Sequence, residues 1–161
     1  MKVQKIDLLK EITDGLEADG DLVYAPQWHK ENYRFLTEGN FIGPFGMALY
    51  LGKKEEIHVI YGSRWDVNKN APLLGRVSCH GIQPYETVNR LLKEVGVRKL
   101  AVSGGKYLPY GLLEAVEAAG TQVLTAEGKL EYARMQKTEE EIGYLRQAVS
   151  LADQAWPVFM Q

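Results

Sequence analysis

The residues in this chain with the chemistry to act on a substrate are few and scattered. The histidines are His29, His58 and His80, and none has a second histidine or a carboxylate at chelating helical spacing. Cys79 and His80 are adjacent, so in a strand they would point to opposite faces, and no His-Glu-x-x-His string occurs. Ala101-Val102-Ser103-Gly104-Gly105 approaches the Gly-x-Ser-x-Gly elbow of serine hydrolases. That elbow needs its acid and histidine downstream of the serine, whereas every histidine here precedes Ser103. A tight strand-to-helix turn accounts for the string. Gly104-Gly105-Lys106 looks like part of a phosphate loop, but a P-loop has four residues between its glycines and Ser or Thr after the lysine. Tyr107 stands there instead. No metal site, nucleophile–base pair or nucleotide site is expected from these residues.

The elements that would position side chains read more clearly. Residues 3 to 18 form an amphipathic helix with Ile6, Leu9, Ile12 (or Thr13) and Leu16 on one face, stopped by Gly20-Asp21. Leu22 to Ala25 is a short buried strand closed by Pro26. Phe45–Leu51 and Glu56–Tyr61 are strand-like runs joined by Gly52-Lys53-Lys54-Glu55, a connection that predicts an antiparallel hairpin with a solvated, charged turn. Trp65-Asp66-Val67 starts a helix that Pro72 or Gly75 would break, and Val77 to Cys79 is a candidate strand. Pro84 to Val95 is a helix with Val88, Leu91, Leu92 and Val95 inward and Gly96 as its cap. Lys99 to Ser103 and Gln122 to Thr125 are strands, with a helix from Leu108 to Ala119 between them and another from Glu127 to Met135. Strand–helix alternation with one early hairpin predicts an α/β fold: a mixed sheet of about six strands flanked by helices on both faces.

The last quarter holds the longest helix. Thr138 followed by Glu141 is a capping box, and Glu139, Glu140 and Glu141 place negative charge at the positive end of the helix dipole. Ile142, Leu145, Val149, Ala152 and Trp156 then recur at three- and four-residue steps, one apolar stripe, until Pro157 disturbs or ends the helix.

The wording of this stretch carries a resemblance. Arg134, Lys137-Thr138, Glu141-Ile142, Leu145-Arg146, Ala148 and Ala152 resemble the junction of two domains in the family of creatinase, prolidase and Xaa-Pro aminopeptidase. There an Arg-x-x-Lys-Thr/Ser-x-x-Glu-Ile-x-x-Leu-Arg-x-Ala string leaves the N-terminal domain and opens the first helix of the pita-bread catalytic domain. Asn32-Tyr33-Arg34-Phe35-Leu36-Thr37 is similar to a second string of the family, which follows its first strand, but Glu38 intervenes before Gly39.

The resemblance implies residues 1–135 as the N-terminal domain and 136–161 as the junction helix, with the catalytic domain absent. It implies no cofactor in this chain and a dinuclear divalent metal site in that absent domain. The function implied is non-catalytic: supporting a homodimer and shaping access to the active site of an Xaa-Pro-cleaving hydrolase. In the family, the segment after the first strand and the loop beyond it reach the active-site mouth, often that of the neighbouring subunit. Trp28, His29, Arg34 and Phe41 are the candidate mouth contacts, since Arg forks onto carboxylates and aromatics wall small pockets. Taken singly, each has a plainer reading, with Phe41 and Phe45 in the core and His29 solvated. Val149, Ala152 and Trp156 are the candidate interface, because the stripe is longer than one small domain needs to bury. The alternative is a self-contained α/β domain that binds a small molecule or acts as an adaptor.

Composition narrows the partners. With 161 residues, 45% hydrophobic and 25% charged, the chain has the make-up of a globular protein with a real core. A net charge of −2 with no Lys/Arg block gives no footprint for nucleic acid. No apolar run approaches the ~18 residues of a membrane span, and no signal peptide is evident at the start. The lone Cys79 excludes an internal disulfide and suits a reducing compartment, so a cytoplasmic location is expected.

Overall fold

A computed structural model describes residues 2–74, 78–80 and 83–160. The elements run α1 (Lys2–Gly15), β1 (Gly20–Pro26), α2 (Glu31–Thr37), β2 (Phe45–Leu51), β3 (Glu56–Tyr61), α3 (Arg64–Leu74), β4 (Ser78–His80), α4 (Pro84–Val95), β5 (Lys99–Ser103), α5 (Tyr110–Glu117), β6 (Gln122–Thr125), α6 (Lys129–Met135) and α7 (Glu139–Phe159). Two compact units divide them, residues 1–131 and residues 132–161.

In the first unit six strands form one sheet in the order β4-β3-β2-β1-β5-β6. The β2–β3 hairpin is antiparallel as its turn demanded, with Gly46 opposite Tyr61 and Leu51 opposite Glu56. β1 pairs antiparallel with β2 along its whole length and parallel with β5. β4 runs parallel to β3, and β6 parallel to β5. Only β2 is reversed, so five strands end at the same edge of the sheet.

The central strands are largely apolar because both faces are covered, with Asp21 of β1 and Ser103 of β5 as buried polar exceptions. Leu22 and Tyr24 of β1 enter a core with Met47, Leu49, Leu100 and Val102, roofed by Val88, Leu91 and Leu92 of α4 and by Leu112 and Val116 of α5. Val23 and Ala25 enter the opposite core with Ala48, Tyr50 and Val59, covered by Leu9 and Ile12 of α1, Tyr33 and Leu36 of α2, and Leu130 of α6. Burying each large side chain contributes about 1.5–3 kcal/mol, and helices on both faces are what fill these two layers.

Helix ends explain where the expected boundaries hold and where they move. Gly96 caps α4 in the left-handed region (φ 70°), its N–H donating to Leu92 and Lys93 carbonyls. The Lys53 ammonium, from the hairpin turn, donates to the Val95 and Gly96 carbonyls at 3.2 and 3.1 Å, a cation at the negative end of the helix. Glu38, which interrupts the family-like string, takes the left-handed cap of α2 (φ 57°) and its N–H bonds the Arg34 carbonyl. A non-glycine residue does there the work usually given to glycine. The expected 108–119 helix is shorter: Gly105–Tyr107 is a 3-10 turn, and α5 starts at Tyr110 behind Pro109. α6 begins at Lys129 rather than Glu127. α3 passes Pro72 to reach Leu74, while Gly75 and Val77 lie outside the described residues.

The second unit is dominated by α7. Its capping box is formed: the Glu141 N–H donates to Thr138 Oγ at 3.2 Å, and the Thr138 N–H donates to Glu141 Oε2 at 2.8 Å. The helix runs through Pro157 to Phe159 instead of stopping there. Pro157 costs little so near the C-terminus because only the last turn depends on the hydrogen bond it removes. None of its residues is buried.

Candidate functional site

The shared C-terminal edge of β1, β3 and β5 is where loops gather, and in α/β sheets this edge is where ligands and partners are usually met. The turn after β1 presents Trp28, 83% exposed, and His29. The turn after β5 presents Tyr107, on which the His29 imidazole is stacked, ring centroids 4.5 Å apart and planes 14° apart. β1 and β5 are neighbours with parallel register, which is what brings residues 29 and 107 together. Gly104 makes the turn after β5 possible: it has φ 81°, and a Cβ there would fall 2.5 Å from the Tyr24 carbonyl oxygen. Lys106 lies over the Tyr107 ring at 4.9 Å.

The loop between α2 and β2 is held to this edge from three sides. Asp66, at the start of α3 and fully buried, accepts the Ile42 N–H at 2.9 Å and the Gly43 N–H at 2.8 Å. Gln27 Nε2 donates to the Ile42 carbonyl at 3.4 Å. The Lys30 ammonium donates to the Phe41 carbonyl and lies 4.5 Å from the centre of that ring. The loop thus presents Ile42, 59% exposed, between the turn bearing Trp28 and the helix start bearing half-exposed Trp65. Behind this surface, Tyr24, Phe45 and Tyr85 form an aromatic row with centroid spacings of 5.7 and 5.9 Å. Burial, together with Tyr85 beside it, pushes the Tyr24 phenol up to about 12, and burial raises Tyr85. Both remain protonated hydrogen-bond donors throughout the physiological range.

Of the four candidate mouth residues, the structure brings Trp28 and His29 to this edge and leaves Arg34 exposed on α2. Phe41 is different. It is 2% exposed and packs edge-on against Tyr33, centroids 5.2 Å apart, and against Tyr61. Its ring belongs to the core, the plainer of its two readings, and only its carbonyl takes part in the edge. Phe45 is half-buried in the aromatic row. Val149, Ala152 and Trp156 are exposed on α7, the first and last by 59% and 65%.

The edge offers exposed aromatic and apolar contact surface in Trp28 and Ile42. Ser103 is buried, its hydroxyl beside the carboxyl of Asp21. His58 is buried within β3 and meets Glu56 at 3.5 Å; burial holds its pKa below the usual histidine value. No group of three His, Cys, Asp or Glu side chains placed to hold a metal occurs among the described residues. Sequence reasoning missed three participants. Asp66 was read only as part of a helix start, Tyr107 only as the residue that spoils a P-loop, and Asp21 only as part of a helix stop. For Tyr107 the sequence held no signal, because only the pairing of β1 with β5 sets the turns after them side by side.

This architecture is that of the N-terminal domain of prolidase-like proteins. It is similar to an Xaa-Pro dipeptidase from Bacillus anthracis, with a TM-score of 0.79 at 23% identity over 99% of this chain and 43% of that one. An X-Pro aminopeptidase from Thermotoga maritima MSB8 matches at 0.72 and 16% identity, over 94% of this chain and 41% of that one. The N-terminal domain of cytoplasmic peptidase PepQ from Mycobacterium tuberculosis H37Rv matches at 0.64 and 19%, over 80% of this chain and 97% of that one. The chain therefore spans less than half the length of the full-length peptidases it matches. No family model and no curated protein sequence matches it.

Proposed function

We propose that this chain is the non-catalytic N-terminal domain of a metal-dependent Xaa-Pro-cleaving peptidase, supporting a homodimer and shaping access to an active site carried by a further domain. The observation that carries this reading is the whole-chain likeness to an Xaa-Pro dipeptidase of which it covers only 43%. The edge bearing Trp28, His29 and Ile42 supports the access role: a stiff, aromatic-rich surface suits contact with a short peptide or with the rim of another subunit. The uncovered stripe of Val149, Ala152 and Trp156 supports the assembly role. A cytoplasmic location belongs to the same proposal, supported by the described helices, none of which is long and apolar enough to cross a membrane.

The test has two parts. The reading frame beyond Gln161 is sequenced: some 200 further codons carrying Asp, His and Glu ligands support the proposal, and an immediate stop favours the self-contained adaptor. The isolated chain, saturated with Mn, Co or Zn, is then assayed on Xaa-Pro dipeptides and tripeptides. No turnover is expected. Activity that survives repurification and disappears with a point mutation in this chain refutes the non-catalytic assignment.

A further inference from the structure

On the α4/α5 side of the sheet, the core ends at the C-terminal edge in a strip of rings. Tyr24 of β1, Phe45 of β2 and Tyr85 of α4 stand in a row, with centroid steps of 5.7 and 5.9 Å and neighbouring planes 31° and 25° apart. Tyr107, from the turn after β5, packs against the same core, and the His29 imidazole is stacked on it. α5 approaches the Tyr85 ring at Gly111, where a Cβ would lie 3.5 Å away, and the neighbouring Tyr110 is 74% exposed. Phe45, Tyr85 and Tyr107 are each half-buried, so their rings lie partly open to solvent.

Two polar atoms of this strip are unused. Tyr33, Tyr61 and Tyr144 have hydroxyls that bond within the chain. The Tyr24 and Tyr85 hydroxyls have no partner among the described residues. Tyr24 is only 7% exposed, yet its hydroxyl still reaches solvent. Burial raises both phenols, so each stays protonated and available as a donor.

Rings set side by side suit a ligand with stiff, wide apolar groups, and the two phenols call for acceptors. A polyproline II segment offers both, because its proline rings stand off the helix and its carbonyls make no internal hydrogen bonds. It rises about 9 Å per turn, so the row from Tyr24 to Tyr85 spans at most a little more than one turn. Its shape is set before docking, which spares the ordering cost that a flexible peptide bears.

We propose that the strip of Tyr24, Phe45, Tyr85, Tyr107 and Tyr110 docks a proline-rich peptide segment in polyproline II form. The rings pack on its prolines, and the Tyr24 and Tyr85 hydroxyls donate to its carbonyls. Such docking needs no catalytic domain, so its failure would leave the assignment as a peptidase N-terminal domain standing.

The experiment titrates the nitrogen-15-labelled chain with a hexaproline peptide blocked at both ends, beside a glycine–serine peptide of equal length. Amides of Tyr24, Tyr85, Tyr107 and Gly111 should shift together and saturate with hexaproline, and the glycine–serine peptide should move none of them. Tyr85→Phe keeps the ring and removes the donor, and should weaken hexaproline binding about three- to tenfold. Tyr110→Ala removes a ring that the core does not need, and should weaken binding by a similar factor. Absence of saturable shifts with hexaproline overturns the proposal, as does equal binding of the glycine–serine peptide or an affinity that both variants leave unchanged. Self-association in light scattering that Tyr110→Ala abolishes overturns it too, since the strip would then be a surface between copies of this chain.

Discussion

Removing the Asp66 clamp should detach the α2–β2 loop while leaving the sheet standing. Its two oxygens accept the Ile42 and Gly43 N–H groups at 2.9 and 2.8 Å, and the residue has no exposure. Hydrogen bonds to a charged acceptor contribute about 1.5–3 kcal/mol each. Asp66→Asn keeps the shape but turns one acceptor into a donor, so one N–H faces another; a cost of about 2–3 kcal/mol is expected. Asp66→Ala removes both acceptors and should cost about 3–5 kcal/mol. Gly43→Ala attacks the same contact from the other side, since its Cβ would lie 2.6 Å from Asp66 Oδ2, and should fall between the two. Urea unfolding at constant m-value gives the energies, and hydrogen exchange at Ile42 and Gly43 reports the loop. Less than about 1 kcal/mol for Asp66→Ala, or undiminished protection of those amides, would refute the clamp.

Glu38→Gly should stabilise the domain by about 0.5–1 kcal/mol in thermal unfolding, because φ 57° strains a residue with a Cβ; loss of the Lys5–Glu38 ion pair at 3.0 Å offsets only part of the gain. Asp19 should lower stability in acid. Burial pulls its carboxyl up, but the Lys99 and Arg98 N–H groups outweigh that and leave it below its ordinary value. Its contribution is therefore present above the unfolded pKa and lost as pH falls through the folded one, and Asp19→Asn should flatten the acid limb of a pH–stability curve. Val149→Asp with Trp156→Ala should convert any dimer to monomer in light scattering without changing the circular dichroism of the sheet domain. A dimer that persists would remove α7 from the interface.

The layered sheet was legible because its signals are local. The charged turn between Leu51 and Glu56 announces a hairpin, Gly96 announces a helix end, and Thr138 with Glu141 announces a helix start; each depends on neighbours in the chain. What the strings hid depends on distance. Nothing near residue 66 says that its carboxylate will reach back to residues 42 and 43. Asp21, beside a glycine, reads as a turn residue, and only the pairing of β1 with β5 buries it. Pro157 reads as a residue that disturbs or ends the helix, and of the two the structure shows no end, since a proline in a final turn removes little and α7 continues to Phe159.

The pairing of β1 has a consequence for how the chain is made. β1, β2 and β3 are consecutive and can zip together as soon as residue 61 is available, but the other side of β1 must wait for residues 99–103. Until then β1 is an open edge, and Leu22 and Tyr24 also lack the roof of α5, which follows β5 in the chain. An exposed apolar edge is the feature most prone to pair with another chain. A nascent chain paused between residues 61 and 103 is thus the form of this protein most vulnerable to aggregation, and arrival of β5 is the event that ends the risk.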